Sequence, residues 1–141
     1  MAYLADTSAW VKSRQRRAPA WLRERFNDLL EGDEVVMCDM VKFELLHDED
    51  APQRFTARRA DLDALRWCPI GPPEWLRALD VANALSDEAG ARHRAVKTAD
   101  YLIAAAAESA GLTVLHYDAD YDSVASITGQ PVEWVAPRGS L

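Results

Sequence analysis

Ala2-Tyr3-Leu4-Ala5-Asp6-Thr7-Ser8-Ala9-Trp10 is the stretch on which the fold turns. The apolar run Tyr3 to Ala5 stops at an acid. Two small hydroxyl residues follow, and then an apolar helical stretch begins. This order predicts a buried strand that delivers a carboxylate at its C-terminal end, with Thr7 or Ser8 capping the next helix. In open α/β sheets, ligands gather beyond the carboxyl ends of the strands. Asp6 therefore directs attention to other acids in the same setting.

Working outward, strands alternate with helices. The first helix is expected from Thr7 to about Ser13, and a second opens at Pro19 and ends before Gly32. Glu34 to Cys38 is β-branched and apolar, as a strand requires. Asp39 is placed to cap a third helix, Met40 to about His47. A fourth is expected from Pro52 to about Arg66, with Phe55, Leu62 and Leu65 facing inward. Trp67 to Ile70 reads as a short edge strand because Pro69 cannot donate to a ladder. A fifth helix is expected from Pro73 or Glu74 to about Ala89, with Trp75, Leu79, Ala82 and Leu85 on one face. Ala91 to Lys97 reads as a basic loop. Thr98 then caps a sixth helix whose stretch Tyr101 to Ala107 is so apolar that it must be buried. Leu112 to His116 is the fourth strand, Asp120 to Ile127 a short helix, and Val132 to Val135 a last strand. The pattern predicts a single α/β domain, a three-layer α/β/α sandwich with a mostly parallel central sheet, over residues 1–136. Residues 137–141 read as a frayed tail.

Composition bounds the function. The 141 residues suit one domain, and 49% apolar content is enough for a real core. No apolar run is long enough to span a bilayer, and the N-terminus lacks a signal peptide's pattern, so a cytoplasmic protein is expected. Cys38 and Cys68 lack metal-ligand spacing and read as buried reduced thiols. The net charge of −7 argues against passive adhesion to nucleic acid. The cations are nevertheless clustered: Lys12, Arg14, Arg16 and Arg17; Arg54, Arg58 and Arg59; Arg92, Arg94 and Lys97.

Four acids share one context. Asp6 follows the first strand, Glu44 lies in the helix after the second, Asp100 sits in the first turn of the buried sixth helix, and Asp118 follows the fourth strand. Asp120 is a fifth candidate. Singly, each has a structural use in a cap, a turn or a solvated face. Together, carboxylates at one sheet edge repel one another and raise one another's pKa. A hard cation, Mg²⁺ or Mn²⁺, repays that cost because it prefers carboxylate and water oxygens. Such a cluster suits phosphoryl chemistry, in which the ion binds a phosphate oxygen, lowers the pKa of a water and stabilises the leaving oxygen. Arg14, Arg16, Arg17, Arg92, Arg94 and Lys97 flank the acids in sequence and are then expected to meet a phosphate backbone.

The stretches Asp6 to Trp10, Phe43 to Leu46, Ala99 to Ala107 and His116 to Asp122 resemble, in order and spacing, the motifs of PIN-domain ribonucleases, and most of all the VapC-type toxins of bacterial toxin–antitoxin pairs. The resemblance implies an Mg²⁺- or Mn²⁺-dependent endoribonuclease, a homodimer, and a small cognate antitoxin whose C-terminal segment covers the active site. It implies that Asp6, Glu44, Asp100 and Asp118 form the catalytic, metal-binding quartet, with Asp120 auxiliary and Thr7 or Ser8 supporting by hydrogen bonds. Tyr121 departs from the phenylalanine common at its position. Membership would also offer Trp10, Trp21, Phe26, Phe55 and Trp75 to dimer or antitoxin surfaces, although large aromatics are mostly core.

Two other classes compete. A phosphoaspartate phosphatase also places an aspartate after its first strand, but needs a second two residues on, where this chain has Ser8. A catalytically silent binding module would keep the fold without metal binding.

Overall fold

The computed structural model describes residues 1–141, the side chains of Ala89 and Ala91 excepted. Five strands form the central sheet: β1 (Tyr3–Ala5), β2 (Val35–Met37), β3 (Arg66–Trp67), β4 (Thr113–His116) and β5 (Val132–Trp134). Their order is β3-β2-β1-β4-β5, and all four pairings are parallel. Leu4 stands opposite Val36 on one side and Val114 on the other, which fixes β1 as the central strand. Seven α-helices connect and cover the strands: α1 (Thr7–Arg14), α2 (Ala20–Glu31), α3 (Asp39–His47), α4 (Pro52–Asp63), α5 (Pro72–Ala89), α6 (Thr98–Ala110) and α7 (Asp120–Thr128). The result is the expected three-layer sandwich.

The chain winds from β1 outward to β3, then crosses back to β4 on the other side of β1. The order therefore reverses between β1 and β4. At such a switch point the two following loops part and leave a crevice at the carboxyl edge. Asp6 leaves β1 there, and Asp118 follows β4.

α6 lies deepest. Every residue from Asp100 to Ala107 is buried. Its four consecutive alanines let the helix approach the sheet closely, and Gly111, at φ 69°, ends it in the left-handed conformation. Phe26 of α2 is fully buried and meets Trp10 edge-to-face at 4.9 Å. Burying a side chain of that size contributes about 1.5–3 kcal/mol. Cys38 and Cys68 are free and buried, and burial pushes the Cys38 thiol up to about 12. Among the described residues, no helix is long and apolar enough to cross a membrane.

Several local expectations differ from the structure. α4 stops at Asp63, and the edge strand is Arg66–Trp67 and not Trp67 to Ile70, so that Arg66 pairs with β2 instead of ending the helix. On α5 the buried face carries Ala78, Val81 and Leu85, whereas Trp75 and Leu79 are exposed. The helix is apolar on two adjacent faces, and packing on α6 selects the one offset by about 100° from the expected stripe. Thr98 does not cap α6; Lys97 holds that position without a side-chain bond. Asp39 is the first residue of α3, and its carboxylate accepts the Trp67 indole N–H instead. At the C-terminus the Leu141 N–H donates to the Tyr117 hydroxyl at 2.9 Å, and the Leu141 side chain packs on the core.

Candidate active site

β1 hands Asp6 to the carboxyl edge of the sheet. Asp6 itself caps α1: its Oδ2 accepts the Ser8 N–H at 3.0 Å and the Ser8 hydroxyl at 2.6 Å. Thr7 and Ser8 are thus the first residues of the helix and not its cap. The chain is still extended at Asp6, so the carboxylate is the side chain that reaches the free N–H. The Ser8 hydroxyl also accepts the Tyr117 N–H at 2.9 Å, which ties the β1–α1 corner to the segment after β4.

Tyr121, fully buried on α7, joins two acids. Its hydroxyl donates to Asp6 Oδ1 at 2.6 Å, and its oxygen lies 3.3 Å from Asp100 Oδ1. Burial and the two neighbouring carboxylates push the phenol well above its ordinary value. Asp6 and Asp100 are only 3% and 2% exposed. Burial drives the Asp100 carboxyl far above the carboxylate range, and Asp120 and Asp6 push it the same way. Its Oδ2 is buried without a hydrogen-bond partner.

Asp118 and Asp120 face Asp100 from the β4–α7 turn. Asp118 Oδ1 accepts the Asp120 N–H at 2.9 Å, which fixes the turn. One oxygen each of Asp100, Asp118 and Asp120 lies within 4.8 Å of the other two. The Lys97 ammonium reaches into the space they share, 2.7 Å from Asp118, 3.4 Å from Asp100 and 3.5 Å from Asp120. Its bond to Asp118 raises its pKa. Burial alone would raise Asp118, but the Lys97 ammonium and the Asp120 N–H hold it below its ordinary value.

Asp6 and Glu44 lie outside that group of three among the described residues. Asp6 joins through Tyr121. Glu44 is half-buried on α3, and its Oε1 accepts the Thr7 hydroxyl at 2.8 Å, one residue from Asp6. The donor set fits a hard divalent cation: it is all oxygen, and a protein cation already sits within it, 3.4 Å from the buried Asp100 Oδ2 that makes no hydrogen bond.

The expected phosphate contacts disperse. Lys97 binds the acids. Arg92 lines a cleft of about 420 Å³ with Glu88, Asp120, Asp122, Ser123 and Ser126. Arg94 and Arg17 are exposed. Arg14 and Arg16 lie at the far end of α1. Of the aromatics, Trp10 and Phe26 belong to the core, whereas Trp21, Phe55 and Trp75 are exposed, as are Phe43, Trp67, Leu76 and Leu79.

Sequence reasoning missed Tyr121 and His116. His116 is fully buried against Tyr121 and Trp134; its Nδ1 accepts the Asp118 N–H, and burial lowers its pKa. A signal for Tyr121 existed. Tyr121 and Val124 mark the inner face of α7, and a buried tyrosine hydroxyl needs a partner.

The PIN domain family model matches residues 3–127. Ribonuclease VapC18 of Mycobacterium tuberculosis is 43% identical over the full length of both chains. Ribonuclease VapC21 of the same species is 37% identical and covers 98% of this chain and 96% of its own. Among solved structures, VapBC-1 of nontypeable Haemophilus influenzae has a TM-score of 0.73 at 19% identity, covering 96% of this chain and 98% of its own. DNA-bound VapBC of Salmonella typhimurium has a TM-score of 0.71 at 20% identity, covering 96% and 99%.

Proposed function

The chain belongs to the PIN-domain family, and we propose that it is the endoribonuclease toxin of a toxin–antitoxin pair, dependent on Mg²⁺ or Mn²⁺. The observation that carries this reading is the trio Asp100, Asp118 and Asp120, converging on one space that the Lys97 ammonium now occupies. Those three would hold the ion, and Asp6 and Glu44 complete the acidic wall. A bound ion supplies Lewis acidity toward the scissile phosphodiester and the attacking water.

The chain's own groups set the geometry. Ser8 and Tyr121 clamp both oxygens of Asp6, so that carboxylate does not rotate. Thr7 orients Glu44, and the Asp120 N–H orients Asp118. The Lys97 ammonium balances part of the charge and must yield space when a divalent ion enters. Ser8, occupied with Asp6, stands where a phosphoaspartate enzyme needs its second acid, which disfavours that class.

RNA is the substrate, and Arg14, Arg16, Arg17, Arg92, Arg94 and Lys97 are the basic residues offered to its backbone. A VapB-type antitoxin is the partner, as in the VapBC complexes among the structural neighbours. The exposed apolar residues Phe43, Phe55, Trp75, Leu76 and Leu79 supply surface for the antitoxin and for a second copy of the chain. The toxin acts in the cytoplasm. The test is to incubate the purified protein with total RNA and Mn²⁺ and map the new 5′ ends. Discrete ends that vanish with EDTA and with Asp100→Asn are expected; their persistence in either case would reject the metal site.

A further inference from the structure

The corner between α1 and α2 holds a second charged concavity. Ser13, Arg14, Arg16, Arg23 and Asn27 line a space of about 400 Å³. The eight residues of α1 set it about 12 Å from the acids along the helix axis.

Two features mark it as a built site. Arg23 is held in place: one terminal nitrogen donates to the Gln15 carbonyl at 3.1 Å and the Arg16 carbonyl at 2.7 Å. Arg14 leans over the rings of Trp10 and Phe26, at 6.0 and 5.9 Å. The charge is also uncompensated. Arg25, Arg54, Arg58, Arg59 and Arg77 each pair with a carboxylate. Arg14, Arg16, Arg17 and Arg23 pair with none among the described residues. Arg14 in the last turn complements the α1 dipole, but that accounts for one cation of the four.

We propose that this corner is a phosphate subsite, which seats a phosphodiester of the substrate RNA a short way along the strand from the cleaved bond. The assignment rests on the nuclease reading above. Guanidinium forks match phosphate oxygens, and the Asn27 amide adds a neutral donor. The protein as a whole is acidic, so a polyanion approaches only where cations are concentrated. Arg23 and Asn27 on α2 extend the basic run at the end of α1 into a concavity that neither element makes alone.

The test uses the full chain carrying Asp100→Asn, so that RNA is bound but not consumed. Fluorescence anisotropy with a labelled oligouridylate is read across a salt series for Arg14→Gln and Arg16→Gln. Each arginine change is expected to weaken binding and to reduce the slope of log K against log salt by roughly 1. Arg16→Gln serves as the variant certain to fold, because its side chain is exposed and makes no bond among the described residues. Unchanged slopes in both arginine variants would overturn the subsite. So would loss of oligoglutamate binding with RNA binding intact, which would assign the corner to an acidic protein segment. Cleavage of total RNA by the unmodified protein is scored separately. Cleavage with flat slopes rejects the subsite alone, and reduced slopes without cleavage reject the nuclease reading alone.

Discussion

The acid pocket and the arginine corner lie at opposite ends of α1, and both crowd like charges. They differ in what holds the charges there. Asp6 and Asp100 are buried, and Asp6 is fixed by Ser8 and Tyr121 on both oxygens. In the corner only Arg23 is pinned, and Arg16 reaches into solvent. Burying an unmatched charge costs several kcal/mol or more, whereas an exposed guanidinium costs almost nothing. The acid pocket therefore requires a counter-charge, first from Lys97 and then from an ion. The arginine corner merely welcomes one. Changes in the first region should alter chemistry and stability together; changes in the second should alter affinity alone.

The comparison breaks most sharply at Asp100. Asp100→Asn keeps the shape and removes the charge. Cleavage should fall on the order of 10³-fold, or about 4 kcal/mol of transition-state stabilisation. Growth arrest on expression should be lost. Because a buried repulsion is relieved, the metal-free variant should melt no lower than the unmodified protein. Full toxicity of this variant would remove Asp100 from the mechanism.

Metal addition is the next largest effect. If the acids are an unpaid demand for a cation, Mn²⁺ at a hundred times its Kd should stabilise the fold by about 2.7 kcal/mol. Differential scanning calorimetry reads this directly. Asp118→Asn should abolish the gain, and Arg14→Gln should leave it intact. An equal gain in both variants would mean that the ion binds elsewhere.

Tyr121→Phe is a smaller probe of the same pocket. It removes the one hydroxyl shared by Asp6 and Asp100 and leaves a buried acceptor short of a donor. A loss of about 1–3 kcal/mol is expected in the metal-free protein by urea unfolding. Equal stability would show that Asp6 is held by Ser8 alone.

How far these regions could be read from the sequence follows from the same contrast. Asp6, Asp100 and Asp118 were legible because strand and helix periodicity places them at one edge, and burial of α6 follows from its composition. Tyr121 was not, since its role depends on α7 bringing its hydroxyl to Asp6 and Asp100, a tertiary fact. The inner face of α5 was misread because Trp75 and Leu79 are as apolar as Ala78 and Val81; only packing against α6 chooses between them. Lys97 was expected among phosphates because charge sign and flanking position carry no information about which way a side chain swings. Arg23 was passed over because it sits in an ordinary amphipathic helix, and its relation to Arg14 exists only where α1 and α2 meet.

Arg92 separates the two kinds of region most finely. It is a cation in the acids' territory, lining one cleft with Glu88, Asp120 and Asp122. If it serves RNA, Arg92→Gln should weaken oligouridylate binding severalfold and lower the salt slope by roughly 1, as in the arginine corner. If it serves the acids, the slope should hold and Mn²⁺ should bind more tightly, because a competing positive charge beside Asp120 is gone. Calorimetric titration of Mn²⁺ and anisotropy on the same variant distinguish the two results. The first is expected: Arg92 makes no ion pair within 4.0 Å among the described residues, whereas Lys97 makes three. A cation that the acids had recruited would sit against them as Lys97 does.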